Sequence, residues 1–343
     1  MRILFCPIEP LVERYSAQYL EWFPQAFLKE RIECIKIAPN PLSDKIRDGS
    51  FLDVCGTNYY KATQIRILCE MAYNGEITDD DIIFLGDMWM PGLESLAYIR
   101  DAFHSKFKIV GMLYAGTYDP YDFLTKNNMG YWGKPLEESW FKIMDKIFMA
   151  TDFHKRLVMQ TREVDPKKLI VTGHPICLNW DEDEEYRKEN IVVFPHRLDS
   201  EKNPDMFDML IDHLHRYIPD TASTWHFLKT KEETNTKQEY YDLLKRAKIS
   251  VSFADQETYG FAMVESVMSG CIPIVPDRLS YSEMYDPIFT YSSFNEAVSL
   301  CKFIMTDHSF YLQAKRDARI NRAQLIGAAE RAIPNMIKEC QCL

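Results

Sequence analysis

Two glutamates that bracket a glycine are the residues of this chain best suited to chemistry. They lie in the segment Glu257-Thr-Tyr-Gly-Phe-Ala-Met-Val-Glu265, where Gly260 follows an apolar, strand-like run and opens a helical pattern. Backbone N–H groups at a helix start lack partners within the helix and bind phosphate well. We interpret the segment as an anion site with carboxylates on both sides for hydroxyl groups. A capping carboxylate plus a solvated helix residue explains the segment alone equally well.

A second polar segment, Phe194-Pro-His-Arg197-Leu-Asp-Ser-Glu-Lys202-Asn-Pro204, also follows a strand-like run. Arginine can bridge phosphate oxygens in a bidentate manner, and lysine adds a point charge. A solvated loop before a helix that starts near Pro204 is the simpler interpretation when this segment is taken alone. Two phosphate-compatible strand ends in the same half of the chain favour binding.

These segments resemble parts of a known family. Arg197-Leu-Asp-Ser-Glu-Lys202 resembles the arginine-to-lysine donor loop of GT-B glycosyltransferases, especially the retaining family 4, and Glu257–Glu265 is similar to their E-x7-E motif. Gly270-Cys-Ile-Pro-Ile-Val275 matches their Gly-x-Pro-Val-type strand, and Glu283 sits where a further glutamate is common. The resemblance covers roughly residues 190–290.

The resemblance implies the following roles. Arg197 and Lys202 would hold the donor diphosphate and stabilise its developing charge, with Glu257 on the sugar hydroxyls, as the three catalytic residues. The donor-binding residues would be Glu265 at the ribose, Thr230 and Ser252 near the base, and Tyr259, Gly260, Phe261 and Ala262 at the phosphates. In the retaining mechanism the departing phosphate takes the acceptor proton. The expected co-substrate is a nucleotide sugar, with a UDP-sugar favoured, and we expect no other cofactor and no metal.

The first half matches the family only in its alternation of strands and helices. Its first loop, Pro7–Arg14, lacks the glycines that many relatives have there. Two loops at strand ends predict the acceptor side, because they combine acids and aromatic rings. The predicted residues are Asp87, Trp89, Thr117, Tyr118, Asp119 and Asp122. Ordinary turn formation by Gly-Asp and Asp-Pro is the alternative. The acceptor itself stays open between a glycan, a small molecule and a modified nucleic-acid base.

Short apolar runs alternate with helical patterns along the chain, which predicts parallel sheets and a doubly wound α/β fold. We predict the GT-B class, with two Rossmann-like domains and a cleft between them. The expected divisions are an acceptor-side domain over residues 1–175, a linker over 176–190 with the acidic run Asp181–Glu185, and a nucleotide-sugar domain over 191–325. We predict a C-terminal helix over 326–343, separate from an earlier helix over 308–325. Two positions stay open for it, against the second domain or back against the first.

Composition limits the classes of function. The 343 residues include 40 Lys and Arg against 51 Asp and Glu, a net charge of −11 that speaks against a dedicated nucleic-acid binder. No apolar run spans a bilayer, and the N-terminus reads as a strand, so we expect a cytoplasmic protein without an integral membrane segment. Besides sugar transfer to an acceptor hydroxyl, three readings stay open: glycosylation of a hydroxylated base in DNA or RNA, a GT-B-like scaffold without turnover, and a sugar-nucleotide epimerase.

Overall fold

The computed structural model describes residues 1–11, 16–42, 53–176 and 185–343. Part of the predicted first loop and most of the predicted linker, including Asp181 to Glu184 of its acidic run, lie outside the described residues. The chain divides into two compact units. The first comprises Met1–Ala150, Lys155–Gly173 and Ala332–Leu343, and the second comprises Thr151–His154 and His174–Arg331.

The first unit is built on a six-stranded sheet in which every strand pair is parallel, with the order β2-β1-β3-β4-β5-β6. Its central strands are almost continuously apolar and buried, as expected for a parallel sheet covered on both faces. The strands are β1 (Arg2–Cys6), β2 (Glu33–Lys36), β3 (Asp81–Leu85), β4 (Lys108–Met112), β5 (Lys146–Met149) and β6 (Leu169–Val171). The helices of this part of the chain are α1 (Ser16–Lys29), α2 (Val54–Tyr73), α3 (Leu93–Ala102), α4 (Phe123–Lys126), α5 (Gly130–Ile143) and α6 (Asp152–Thr161).

The second unit contains a five-stranded parallel sheet with the order β11-β10-β9-β7-β8. Its strands are β7 (Glu189–Phe194), β8 (His226–Lys229), β9 (Ala247–Val251), β10 (Ile272–Pro276) and β11 (Thr290–Tyr291). The helices that follow α6 are α7 (Pro204–Tyr217), α8 (Pro219–Ala222), α9 (Thr230–Glu233), α10 (Lys237–Arg246), α11 (Phe261–Met268), α12 (Tyr281–Met284), α13 (Phe294–Thr306) and α14 (His308–Gln341). Short 3-10 helices cover Pro166–Lys168, Ser200–Lys202 and Pro287–Phe289. Within the described ranges, no helix is both long and apolar enough to cross a bilayer.

The order of each sheet reverses at one place. In the second unit the chain runs from β7 outward to β8 and then returns to β9 on the other side of β7. In the first unit the same reversal separates β1 from β3. Loops at the carboxyl ends of strands diverge at such a point and leave a crevice, which is where open α/β sheets bind ligands. The loops after β7 and β9 carry most of the predicted donor residues, and the loop after β3 carries two predicted acceptor residues.

Two expectations about helices were wrong. The split of the C-terminal segment into two helices does not occur, because α14 runs without a break through Gly327 and Pro334. A glycine inside a helix costs only about 1 kcal/mol, and buried apolar residues on both sides of it, such as Ile326 and Ile333, offset that cost. The second is that no helix was predicted over Gly130–Ile143, where the burial of Trp140 and Phe141 stabilises α5.

Candidate active site

Lys202 and Glu257 form an ion pair that joins the loops after β7 and β9. The Lys202 Nζ lies 2.9 Å from the Glu257 Oε1 and also donates to the backbone oxygen of Gln256 at 2.5 Å. The lysine is only 4% exposed. Asn203, whose φ of 54° is left-handed, adds a side-chain hydrogen bond to the Phe253 carbonyl at 3.0 Å. The two loops therefore hold one cation and one carboxylate in a fixed position at the crevice.

Arg197 lies at the rim of the same loop. Its Nε is 3.0 Å from Asp199, and its terminal nitrogen donates to Glu201 at 3.0 Å. The side chain is 41% exposed, in contrast to the buried Lys202. A phosphate would compete with two carboxylates for this guanidinium. The loop thus presents one buried, fixed cation and one accessible cation that is already partly neutralised.

His196 is a member of this cluster that the sequence analysis did not single out. Its Nε2 is 2.8 Å from the Ser252 hydroxyl, and its Nδ1 faces the Glu257 Oε1 at 3.6 Å. The Ser252 hydroxyl in turn lies 3.0 Å from the Tyr281 hydroxyl. The tautomer with its proton on Nδ1 directs that N–H toward the carboxylate and leaves Nε2 to accept from Ser252. The only sequence signal was its place between a strand and Arg197.

Acid should destabilise the fold through His196. Burial, with a contribution from Lys202 and Arg197, holds its pKa well below the usual 6.5. The unfolded chain therefore binds a proton below about pH 6.5 that the folded chain does not, so stability falls as the pH is lowered, by about 1.4 kcal/mol per pH unit. Melting temperatures between pH 7.5 and 5 should fall less steeply for His196→Gln than for the wild type. Equal slopes would show that the folded chain protonates this histidine.

Gly260 forms the turn into α11 and is required there for two reasons. Its φ of 80° is left-handed, and a Cβ at this position would lie 2.8 Å from the Tyr281 ring. Helix α11 begins at the next residue, Phe261, so the N–H groups of its first turn point out of the helix start at the carboxyl end of the sheet. The backbone at Gly260 to Ala262 thus has the geometry of an anion site.

Gly260→Ala should destabilise the second unit by about 1–3 kcal/mol, because backbone strain and the clash with Tyr281 add. Gly75→Ala is the matched control, since Gly75 has a φ of 70° but open space around the added Cβ. We expect a larger drop in melting temperature for Gly260→Ala than for Gly75→Ala. Equal drops would mean that the Tyr281 contact gives way without cost.

Glu265 is buried and accepts three side-chain hydrogen bonds within the second unit. Its Oε1 accepts from the Lys237 Nζ at 2.6 Å and from the Tyr241 hydroxyl at 2.8 Å, and its Oε2 accepts from the Tyr240 hydroxyl at 2.9 Å. A carboxylate has about four lone-pair positions, so one remains on Oε2 for a further donor such as a ribose hydroxyl. The predicted ribose contact stays a prediction.

The other predicted donor residues lie in two settings. Thr230 starts α9 at the end of β8, where its hydroxyl is buried and 3.4 Å from the Phe194 carbonyl. Ser252 is fully buried beneath the crevice, and its hydroxyl is taken by His196 and Tyr281. Tyr259 is buried against the ring of Phe261. Their contacts with a nucleotide stay predictions.

Glu283, the further glutamate of the resemblance, caps a helix. Its two carboxylate oxygens accept the backbone N–H groups of Asp152 and Phe153, each at 2.8 Å. Both N–H groups belong to the first turn of α6, where a carboxylate satisfies unpaired donors and the helix dipole.

A buried carboxylate that the sequence did not predict joins the two loops of the predicted acceptor side. Glu137 of α5 accepts from the Trp89 indole at 3.0 Å, from the Thr117 N–H at 2.5 Å and from the Thr117 hydroxyl at 2.8 Å. Arg162 completes the cluster, because its Nε and Nη2 donate hydrogen bonds of 2.9 and 2.8 Å to the Glu137 Oε2. Since Trp89 follows β3 and Thr117 follows β4, one ion pair fixes both loops. A glutamate amid a polar stretch gave no sequence signal for this role.

The remaining acceptor candidates differ in availability. Asp87 is paired with Lys61 at 2.7 Å and also accepts the Trp89 N–H. Tyr118 is buried, and burial, with the nearby Glu137, raises the pKa of its hydroxyl well above 10. Asp119 accepts the N–H of Tyr121 at 2.9 Å, and Asp122 caps α4. The turn-forming alternative therefore accounts for the local bonds of Asp119 and Asp122.

Comparison with known proteins gives a partial match in sequence and full-length matches in structure. No family model matches the chain. The tRNA-queuosine alpha-mannosyltransferase of Drosophila melanogaster is 28% identical in an alignment of 177 positions that covers 43% of this chain and 46% of that protein. The chain thus spans less than half of the length of this curated relative.

Two solved structures match along their whole length. The sucrose-phosphate synthase of Thermosynechococcus elongatus superposes with a TM-score of 0.69 and 10% identity, and covers 100% of this chain and 99% of its own. The UDP-forming alpha,alpha-trehalose-phosphate synthase of Burkholderia vietnamiensis gives a TM-score of 0.64 and 10% identity, with 100% of both chains covered. At such identity the likeness concerns the fold. With its two parallel sheets and this full-length match, the chain has the GT-B fold of glycosyltransferases.

Proposed function

We propose that the chain is a glycosyltransferase that moves a sugar from a nucleotide-sugar donor, with a UDP-sugar favoured, to an acceptor hydroxyl with retention of configuration. The observation that carries this proposal is the Lys202–Glu257 pair, 2.9 Å apart at the point where the second sheet reverses. Glu257 lies three residues before the Gly260 turn. A fixed cation, a carboxylate and a helix start therefore lie together at the carboxyl end of the sheet. These are the groups that a sugar diphosphate requires.

The proposed chemistry follows from these groups. The bond between the anomeric carbon and the diphosphate oxygen breaks, and Lys202, with Arg197, stabilises the negative charge that develops on that oxygen. Glu257 accepts from sugar hydroxyls and holds the ring in place. The acceptor oxygen bonds to the anomeric carbon on the same face, and its proton passes to the departing phosphate. The two basic residues supply the positive charge in this scheme, which assigns no role to a metal.

A second candidate concerns the acceptor, and the partial match to a tRNA-queuosine mannosyltransferase favours it. In this version the acceptor hydroxyl belongs to a modified base of a tRNA. The loops with Trp89 and Thr117 carry aromatic and hydroxyl groups that suit a flat base. The cations next to them are neutralised, Lys61 by Asp87 and Arg162 by Glu137. Contacts with an RNA backbone would therefore need basic groups elsewhere in the chain.

A two-step experiment tests the proposal. Thermal shift with UDP- and GDP-sugars should identify a donor that raises the melting temperature, since a ligand of the folded state stabilises it. Transfer of the radiolabelled sugar from that donor is then measured with total tRNA and with a panel of glycans. Labelled tRNA supports the second candidate, and a labelled glycan supports the more general one. Donor binding without transfer to any acceptor would favour the scaffold alternative.

A further inference from the structure

A basic pocket lies at the amino-terminal ends of the strands of the second sheet, opposite the carboxyl ends that carry Lys202 and Glu257. Lys188 directly precedes β7, Lys248 is the second residue of β9, and Ile272 is the first residue of β10. Helix α14 closes the pocket with Lys315 and Arg322, and the cavity has a volume of about 80 Å³. That volume accommodates one phosphate group of a larger ligand but not a whole nucleotide.

The charge of the lining is unusual for a protein with a net charge of −11. Among the described residues that line the pocket, five are cationic and one, Glu185, is acidic. The cations are Lys188, Lys248, Lys315, Arg319 and Arg322. Arg319 faces Glu185 at 3.8 Å, and both side chains are exposed. The lining thus carries a net positive charge. Repulsion between these like charges raises the electrostatic energy of the pocket.

Aromatic rings and carbonyl oxygens hold these cations together. The Lys188 ammonium lies 5.7 Å from the centre of the Tyr186 ring, and the Arg322 guanidinium lies 5.5 Å from the same ring. Lys188 also donates to the Ser269 carbonyl at 2.6 Å. The Lys248 ammonium lies 5.5 Å from the Tyr311 ring. Cation–π contacts offset part of the repulsion, and they leave the charge of Lys188 and Lys248 in place.

The titration behaviour of the lysines agrees with this geometry. Burial lowers the pKa of Lys188, and the neighbouring charges of Arg322 and Lys315 act in the same direction. Burial also lowers the pKa of Lys248. An anion placed among these groups would favour their charged forms and gain charge-assisted hydrogen bonds from them.

We propose that this pocket is a phosphate-binding site, distinct from the donor crevice, at the opposite end of the strands of the same sheet. The phosphate can come from the backbone of an RNA or from a free phosphorylated small molecule. Both sources present tetrahedral phosphate oxygens to the same lysines, as a singly charged diester in RNA and as a more highly charged monoester in a free phosphorylated molecule. The site depends only on residues of the second unit and does not rest on the proposed sugar transfer.

Calorimetric titration with pyrophosphate tests the site. In the Lys202→Met background, which removes the buried cation of the donor crevice, we expect pyrophosphate to bind and its affinity to fall with rising salt. Replacing Lys248 and Lys315 together by glutamine should weaken this binding about tenfold or more, since both positions would lose a charge-assisted hydrogen bond to the anion. The matched control replaces Lys302 and Arg216, exposed residues of α13 and α7, by glutamine. The single variant Lys315→Gln changes an exposed position and should fold normally. Weaker binding of pyrophosphate by this variant therefore cannot be attributed to misfolding.

A parallel titration with a short RNA stem-loop separates the two sources. If the Lys248/Lys315 variant weakens RNA binding and pyrophosphate competes with the RNA, the backbone phosphate is the ligand. If only pyrophosphate binding weakens, the ligand is a free phosphorylated molecule. Four acidic residues, Asp181 to Glu184, precede Glu185 in the sequence. Because linked carboxylates compete with an added anion, a variant with all four as amides is titrated too. The proposal is overturned if pyrophosphate binds neither the Lys202→Met protein nor its version with the four amides. It is also overturned if the Lys248/Lys315 variant binds pyrophosphate as tightly as the protein with both lysines.

Discussion

Replacing Lys202 with methionine is expected to lower the kcat of sugar transfer by about 10²–10³-fold, the usual effect of removing one group that stabilises the transition-state anion. The buried ammonium is held 2.9 Å from Glu257, and methionine keeps the apolar stem without the charge. The effect should appear in kcat more than in KM, because the charge on the departing phosphate develops as the bond breaks. Steady-state transfer with the donor identified by thermal shift is the measurement.

A double variant separates chemistry from stability. Lys202→Met leaves the Glu257 carboxylate without its main partner, which alone lowers stability. Adding Glu257→Gln removes that unpaired charge, so the melting temperature should recover while transfer stays lost. Lys302→Met, at an exposed position of α13, is the control for the loss of a lysine and should keep full activity. Transfer by Lys202→Met at the rate of the wild type would refute the assignment of the donor crevice.

Glu137→Ala should cause the largest loss of stability in the first unit, about 3–5 kcal/mol in the free energy of unfolding. The reason is that the Arg162 guanidinium, 2.8 Å from the Glu137 carboxylate, would remain buried without its counter-charge. The Trp89 indole and the Thr117 N–H would lose their acceptor as well. Urea unfolding followed by tryptophan fluorescence is a suitable measurement, since the indole of Trp89 contacts the carboxylate.

The neighbouring residue supplies the control. Glu138 lies on the same helix and makes an exposed ion pair with Lys134 at 3.8 Å, so Glu138→Ala should cost less than about 1 kcal/mol. A double change of Glu137 and Arg162 to leucine and methionine should recover part of the stability, because it removes both buried charges. If Glu137→Ala and Glu138→Ala unfold at the same urea concentration, the buried pair does not hold the acceptor loops.

Much of the fold follows from sequence periodicity. The predicted alternation of strands and helices, with parallel sheets in both units, is observed, because apolar strands and capped amphipathic helices carry local signals. Helix α5 was missed because Gly130, Gly133 and Pro135 weaken its helical pattern. Its formation depends on tertiary burial of Trp140, which no local rule detects.

The candidate site divides in the same way. Lys202 and Glu257 were predicted from motifs, and the structure brings them together. His196 and Glu137 were not predicted, because their roles arise from partners distant in sequence. The Glu137–Arg162 pair spans 25 positions, and the His196–Ser252 contact spans 56. Such contacts depend on the order of the strands, which becomes known only with the fold.

The contact between Gly260 and Tyr281 also constrains how the sequence can diverge. The ring of Tyr281 occupies the space that any side chain at position 260 would need, and its hydroxyl contacts Ser252. A lineage that gains a side chain at 260 must first shorten residue 281, and then loses a partner for Ser252 and, through it, for His196. We therefore expect positions 260, 281, 252 and 196 to be inherited together, so that homologues keep all four residues or replace them as a set.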